Sequence, residues 1–277
     1  MLRCSVLTKV LREQRIQVAG FGLALAVIAA LDVFIWPAYR DPLQNFQVPP
    51  ALQALIGDLN IATAPGFLAS EFYSWIPILL IVFAVIAGTG AIAGEEGSGS
   101  LDLLLAQPVS RRSLVLQKVA ATCIGSALIV SIGYLGFLVS IPFVSIAVSL
   151  GDVAMASANM LPITLFFFAL SLWLGAVSPS RGMASGLAIG VATVSYFLYS
   201  LANGVQALRS VRYASPFYYY GTGDALVHGL NWWHIGLLLG IAVLFVVAAL
   251  RAFERRDVVT GGASDIGLTG VLRRIVA

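Results

Sequence analysis

Charge is what this 277-residue chain has least of: Asp, Glu, Lys and Arg make up 10% of it, against the roughly 25% usual in soluble domains. With 59% hydrophobic residues and a mean hydropathy of +0.93, that scarcity excludes a water-soluble globular fold. Cysteine is nearly missing too. Cys4 and Cys123 are the only two, and their separation excludes a disulfide framework or a cysteine metal site. Histidine is equally rare. His228 and His234 stand six residues apart in or beside one outer segment, where surface residence explains them better than metal binding, so no metal site is expected. A phosphate-binding G-x-x-x-x-G-K-[ST] sequence is absent, which excludes the chain as a P-loop ATP-hydrolysing subunit. The formal charge of +3 does not indicate a nucleic-acid partner either, because the basic residues flank apolar runs instead of forming a patch.

What is present is a series of apolar runs near the ~20 residues needed to cross a bilayer as a helix. Six are predicted, at about 18–36, 73–93, 114–139, 156–177, 183–203 and 233–250. Together they make one all-α transmembrane domain over 1–277. Uncharged sequence continues from Val119 to Gly151, and Pro142 is expected to end or kink the third span. Basic residues decide between six spans and seven. With six, thirteen of the sixteen Lys and Arg residues fall on the side of both termini, leaving Arg40, Arg209 and Arg212 opposite. That asymmetry predicts cytoplasmic termini in the inner membrane of a prokaryote. The first run exceeds the ~7–15 residues of a signal-peptide core and is expected to be retained as a span. Ahead of it, at about 1–15, Leu2, Val6, Leu7, Val10 and Leu11 recur at helical spacing, with Lys9, Arg12, Glu13 and Arg15 on the other face. This pattern predicts an interfacial elbow helix lying against membrane lipid.

Acidic residues are nearly missing from the spans. Asp32 alone falls within one, near its outer end, where water or headgroups are expected to reach it. An ion-driven carrier usually keeps carboxylates near the midplane, because burying them costs at least ~2.5 kcal/mol. It therefore remains an alternative without that support. An intramembrane serine hydrolase is disfavoured as well, since Ser98 and Ser100 lie on the opposite predicted side from both histidines. Two outer segments are long. Pro37 to Phe72 is expected to hold a surface helix from Ala51 to Ile56, opened by Pro49 and Pro50 and closed by Gly57. Gly204 to Trp232 carries Tyr213, Phe217, Tyr218, Tyr219, Tyr220 and Trp232, an aromatic set expected to form an interfacial belt in preference to a substrate cluster. Gly182, Gly186 and Gly190 present one small-residue helix face suited to close helix packing, within this chain or with a second copy.

The connection between spans two and three is more elaborate than a polar turn. Glu95 and Glu96 precede it, Ser98 or Ser100 is placed to cap a helix, and Asp102 suits the positive end of the helix dipole. Pro108 stops the helix by disfavouring helical geometry at Gln107, and Arg111 and Arg112 follow. Leu101, Leu104 and Leu105 share a face that must be buried against something.

In this segment, Glu95-Glu96-x-Gly-x-Gly-x-Leu101-Asp102-Leu103-Leu104-Leu105-x-x-Pro108-Val109-Ser110-Arg111, followed by Lys118, resembles the cytoplasmic signature of type-2 ATP-binding-cassette transporter permeases. The resemblance extends over essentially the whole chain, including Ser215-Pro216-Phe217-Tyr218 before the last span and the Arg255-Arg256-Asp257 tail. It implies that 95–108 is a coupling helix docking into a separate ATPase, with coupling roles for Glu95, Glu96, Gly97, Gly99, Ser100, Leu101, Leu104, Leu105, Pro108 and Arg111. It further implies two ATPase subunits binding ATP and magnesium, two permease copies, and no cofactor in this chain. The expected function is export of an amphipathic or lipid-like substrate such as a drug, antibiotic or lipid. Polysaccharide and metal-centre assembly remain alternatives within the family.

Overall fold

The computed structural model describes residues 5–44, 60–94 and 110–255, and every regular element among them is helical. Ten α-helices are named in chain order: α1 Ser5–Gln44, α2 Ala64–Glu71, α3 Ile76–Thr89, α4 Arg111–Ser140, α5 Leu150–Ala158, α6 Met160–Val177, α7 Arg181–Gly204, α8 Pro216–Tyr220, α9 Asp224–His228 and α10 Trp232–Arg255. A π turn, Gly90–Gly94, prolongs α3, and 3-10 turns occupy Ile141–Phe143 and Gln206–Ala214. Six stretches are long and apolar enough to span a membrane: 6–43, 64–93, 111–143, 150–177, 181–204 and 232–255. They correspond one to one with the six expected runs. The surface helix expected at 51–56 lies outside the described residues.

The elbow does not stand apart from the first span among the described residues. Over the described part of the expected elbow, helix and span are one element: α1 runs unbroken from Ser5 and continues past Pro37 and Pro42 to Gln44. The reason is visible in its buried face. Val6, Val10, Val18, Leu25, Ala29, Val33 and Trp36 are all buried and recur every three or four residues or in multiples of that step, so one stripe passes through elbow and span alike. That stripe packs along α4. Val6 and Val10 meet Ala121, the Leu7 amide donates to Gln117 Oε1 at 3.1 Å, and Gln14 Nε2 donates to Thr122 Oγ1 at 3.3 Å. The apolar side assigned to lipid is thus in large part a helix contact. Close approach depends on glycine at one crossing point: a Cβ on Gly136 would stand 2.3 Å from the carbonyl oxygen of Ala26.

Between α4 and α6 the ambiguous apolar stretch is resolved. Helix ends at Ser140, Pro142 sits in the 3-10 turn, and chain without regular structure leads to Ser149, whose side chain caps α5 by accepting from the Gly151 amide. The fourth span therefore starts at Leu150, six residues earlier than expected, with a step at Asn159. Beyond it α6 is the centre of the bundle. It is buried along nearly its whole length, with α3 and α10 packed along it and α7 resting on both α6 and α3. Gly88 permits the α3–α6 contact, since a Cβ there would lie 2.7 Å from the Phe168 carbonyl oxygen.

The aromatic segment after α7 divides in two, which corrects a uniform belt. Tyr213, Trp232 and Trp233 are exposed, whereas Phe217 and Tyr220 are core residues. Tyr220 donates its hydroxyl to the Tyr73 carbonyl at 2.8 Å. Its own carbonyl accepts from Asn159 Nδ2 at 2.9 Å, and Tyr73 donates to the Val153 carbonyl at 3.1 Å and lies 3.0 Å from Ser157 Oγ. Burial pushes the Tyr220 phenol well above its ordinary value, so it stays a donor. Tyr220→Phe is expected to lower stability by about 1 kcal/mol, the net worth of one such bond, measured as a lower midpoint of thermal unfolding in detergent; an unchanged midpoint would show that the bond contributes nothing. His234 packs on Tyr218 and Tyr219 at ring distances of 5.5 and 5.3 Å, while His228 lies 3.6 Å from Asp224. Asp32 is also enclosed more than expected: its Oδ2 is shielded from solvent and has no hydrogen-bond partner among the described residues.

Candidate functional site at the base of the 95–109 segment

Of the ten residues assigned to coupling, nine (Glu95, Glu96, Gly97, Gly99, Ser100, Leu101, Leu104, Leu105 and Pro108) lie outside the described residues. Arg111 is described, and so are both places where the segment joins the membrane bundle. Those two places lie toward the same end of the bundle, the end that carries Arg111, Arg181 and Arg255.

The departing side is the π turn. Glycine at 88, 90 and 94 weakens regular helix, and Thr89 donates its hydroxyl back to the Val85 carbonyl at 2.7 Å, a bond that bends helices. One-turn π segments arise at such points and frequently mark functional sites. Three side chains from other spans grip this one. Lys118 of α4, 3% exposed, donates its ammonium to the Ala91 carbonyl. Ser185 of α7 donates to Thr89 Oγ1 at 3.1 Å, and Arg181 Nη2 lies 3.5 Å from the Ile86 carbonyl oxygen.

The returning side is the start of α4. Ser110 caps it, its side chain accepting from the Ser113 amide at 3.2 Å. Arg111 then reaches the far end of α10, donating from Nη1 to the Phe253 carbonyl at 3.1 Å with its guanidinium 5.4 Å from the Phe253 ring centre. Arg112 pairs with Glu254 through Nε and, at 3.2 Å, through Nη2. The second pair is exposed and contributes orientation more than stability. Arg111 therefore does what neither its charge nor its position beside the segment announced, which is to tie the third span to the sixth. Lys118 was legible only as a topology marker. Its burial two turns into α4 is the signal that sequence reading missed, since a lysine so placed must be paired to be tolerated.

Gly182, Gly186 and Gly190 pack against nothing among the described residues. A Cβ on any of them would meet nothing within 4 Å. Their face of α7 continues through exposed Ile189, Val194 and Phe197.

An all-helical bundle of six apolar spans, with a short polar segment held at its base by three of them, defines a polytopic integral membrane protein. A family model described as ABC-2 family transporter protein matches residues 11–258. The chain belongs to that family and is a membrane permease component of an ABC transporter. A curated relative from Pseudomonas aeruginosa, described as "Probable ABC transporter permease protein NosY", is 30% identical over 167 residues, 59% of this chain and 60% of the relative.

Proposed function

We propose that the chain is the membrane-spanning subunit of an ATP-driven exporter and that residues 95–108 form the helix through which a separate ATPase acts on it. The family match over 11–258 carries this reading, and the anchoring of both ends of the segment to α4, α7 and α10 supports it. ATP and magnesium belong to the ATPase, of which two copies serve two permease copies. The second permease copy docks on the open glycine face of α7, whose small residues allow backbones to approach. The cargo is amphipathic or lipid-like, a reading supported by spans without midplane carboxylates and by the exposed apolar faces of α1 and α7. The membrane is the cytoplasmic membrane, with the basic end of the bundle facing the cytoplasm.

The test is ATP dependence. The purified chain alone is expected to hydrolyse no ATP. Inverted vesicles containing it with its ATPase are expected to accumulate a fluorescent amphipathic probe only when MgATP is supplied, and to do so after ionophores have collapsed the ion gradients. Accumulation driven by an imposed proton or sodium gradient without ATP would replace this reading with a secondary carrier.

A further inference from the structure

We propose that Lys118 is a positioning residue that transmits movement of the 95–109 segment into the membrane bundle, with Arg181 and Ser185 as its counterparts from the fifth span. The inference rests on the coupling reading above and names the contact through which that coupling enters the spans. A regular helix leading out of α3 would carry displacement along its own axis. A π turn interrupts that path, because its bonds run from i to i+5 and break the α-helical ladder. Something must then hold the turn if motion at 95–109 is to reach the spans.

The geometry supplies two holds on opposite elements. Lys118 bonds to the carbonyl of Ala91 inside the turn, and this ties α3 to α4, the very helix into which the segment returns. One turn earlier, Ser185 and Arg181 bond to Thr89 and to the Ile86 carbonyl, and this ties α3 to α7. Arg181 also covers the turn directly, for a Cβ on Gly90 would lie 3.4 Å from its Nη2. Gly88 seats the same stretch against α6, backbone to backbone. Lys118 suits the task as a buried ammonium. Its donors follow a carbonyl that shifts, at a range where a neutral side chain of the same length would offer only packing. A displacement that pulls on the turn therefore draws α4 and α7 with it, and α10 follows α4 through Arg111 and the Phe253 carbonyl.

The experiment uses the full permease with its ATPase in lipid nanodiscs, with Cys4 and Cys123 replaced by alanine. An environment-sensitive fluorophore is placed on a cysteine substituted for Val205, which is exposed just beyond α7 at the end opposite Lys118. MgATP with vanadate is the probe. Lys118→Met is expected to leave ATPase recovery and hydrolysis within about twofold of the parent while reducing the fluorescence response at least about fivefold. Lys118→Arg is expected to restore most of that response. A response that survives Lys118→Met overturns the proposal, and so does one that falls only in step with hydrolysis, which is what a merely structural lysine would produce. Should Lys118→Met fail to assemble, Arg181→Gln is read in the same way, a lost response supporting the proposal and a retained one overturning it. A parent complex that binds its ATPase and still gives no response overturns the coupling reading itself, an outcome distinct from failure of Lys118 alone.

Discussion

Reversing both carboxylates in Glu95→Lys, Glu96→Lys is expected to abolish recovery of the ATPase with the permease and ATP-driven transport with it, while leaving the membrane bundle folded. The argument begins with charge scarcity. Thirteen acidic residues are spread over 277 positions, yet two stand side by side where the chain leaves the second span. Arg111, Arg112 and Lys118 follow the segment, and Arg111 and Arg112 are engaged with α10. Adjacent glutamates at the start of the proposed coupling helix therefore suit a basic partner surface. Reversal exchanges attraction for like-charge contact, which costs several kcal/mol at an interface, and each ~1.4 kcal/mol is tenfold in affinity. A loss of at least about a hundredfold follows. Affinity purification from membranes, with quantified ATPase in the eluate, reads the effect; recovery within a few-fold of the parent would remove these residues from the coupling surface. Leu104→Ala is the informative companion. It removes apolar contact without touching charge and is expected to weaken recovery by about tenfold, in keeping with a truncated interface anchor.

How much of this was legible follows from what each residue's role depends on. Span number and place were readable because a bilayer demands ~20 apolar residues whatever surrounds them, and all six runs reappear as helical spans, with every end shifted outward except those at 93 and 177. The basic flanks extended those helices: Arg111 opens α4 and Arg255 is the last described residue of α10, both charged residues that an apolar count leaves out. The continuity of the elbow with the span was hidden for a different reason. Val6 and Val10 offer the same face to lipid or to Ala121, and sequence holds no record of which is nearer. Lys118 failed likewise, because its meaning lies in a carbonyl twenty-seven residues away that faces it only once α3 and α4 are packed. The split among the aromatics belongs with these. Tyr220 is distinguished from Tyr213 by a bond to the backbone of Tyr73, 147 residues distant. Glycine told more, but only by half: the four-residue spacing of Gly182, Gly186 and Gly190 marks a small face, and the packed bundle decides whether it is filled.

That last distinction carries the second large prediction. Gly136→Val and Gly88→Val are each expected to destabilise the permease severely, whereas Gly186→Val should leave the fold of the single chain untouched. At Gly136 the first added carbon would fall 2.3 Å from the Ala26 carbonyl oxygen and 2.7 Å from its Cα; at Gly88 it would fall 2.7 Å from the Phe168 carbonyl oxygen. These are backbone atoms inside neighbouring helices, which cannot swing aside as a side-chain tip can. Relief requires α1 to separate from α4, or α3 from α6. Overpacking of a well-packed core costs ~1–3 kcal/mol and sometimes more, and here the separation would also break contacts along both helices, since such bundles are held by close packing rather than by expulsion of water. Folded yield in mild detergent and the midpoint of thermal unfolding provide the measure. A parental midpoint for Gly136→Val would mean that α1 and α4 do not cross as closely as their backbones indicate. Gly186→Val tests the opposite face, where nothing among the described residues lies within 4 Å of an added Cβ: its monomer should melt as the parent does, and any defect should surface as loss of the paired form on native separation. The α1–α4 crossing matters to function as well as to stability, because α4 is the helix that receives both the returning segment and the Lys118 contact, and a loosened α1 would leave it free to move without moving the rest of the bundle.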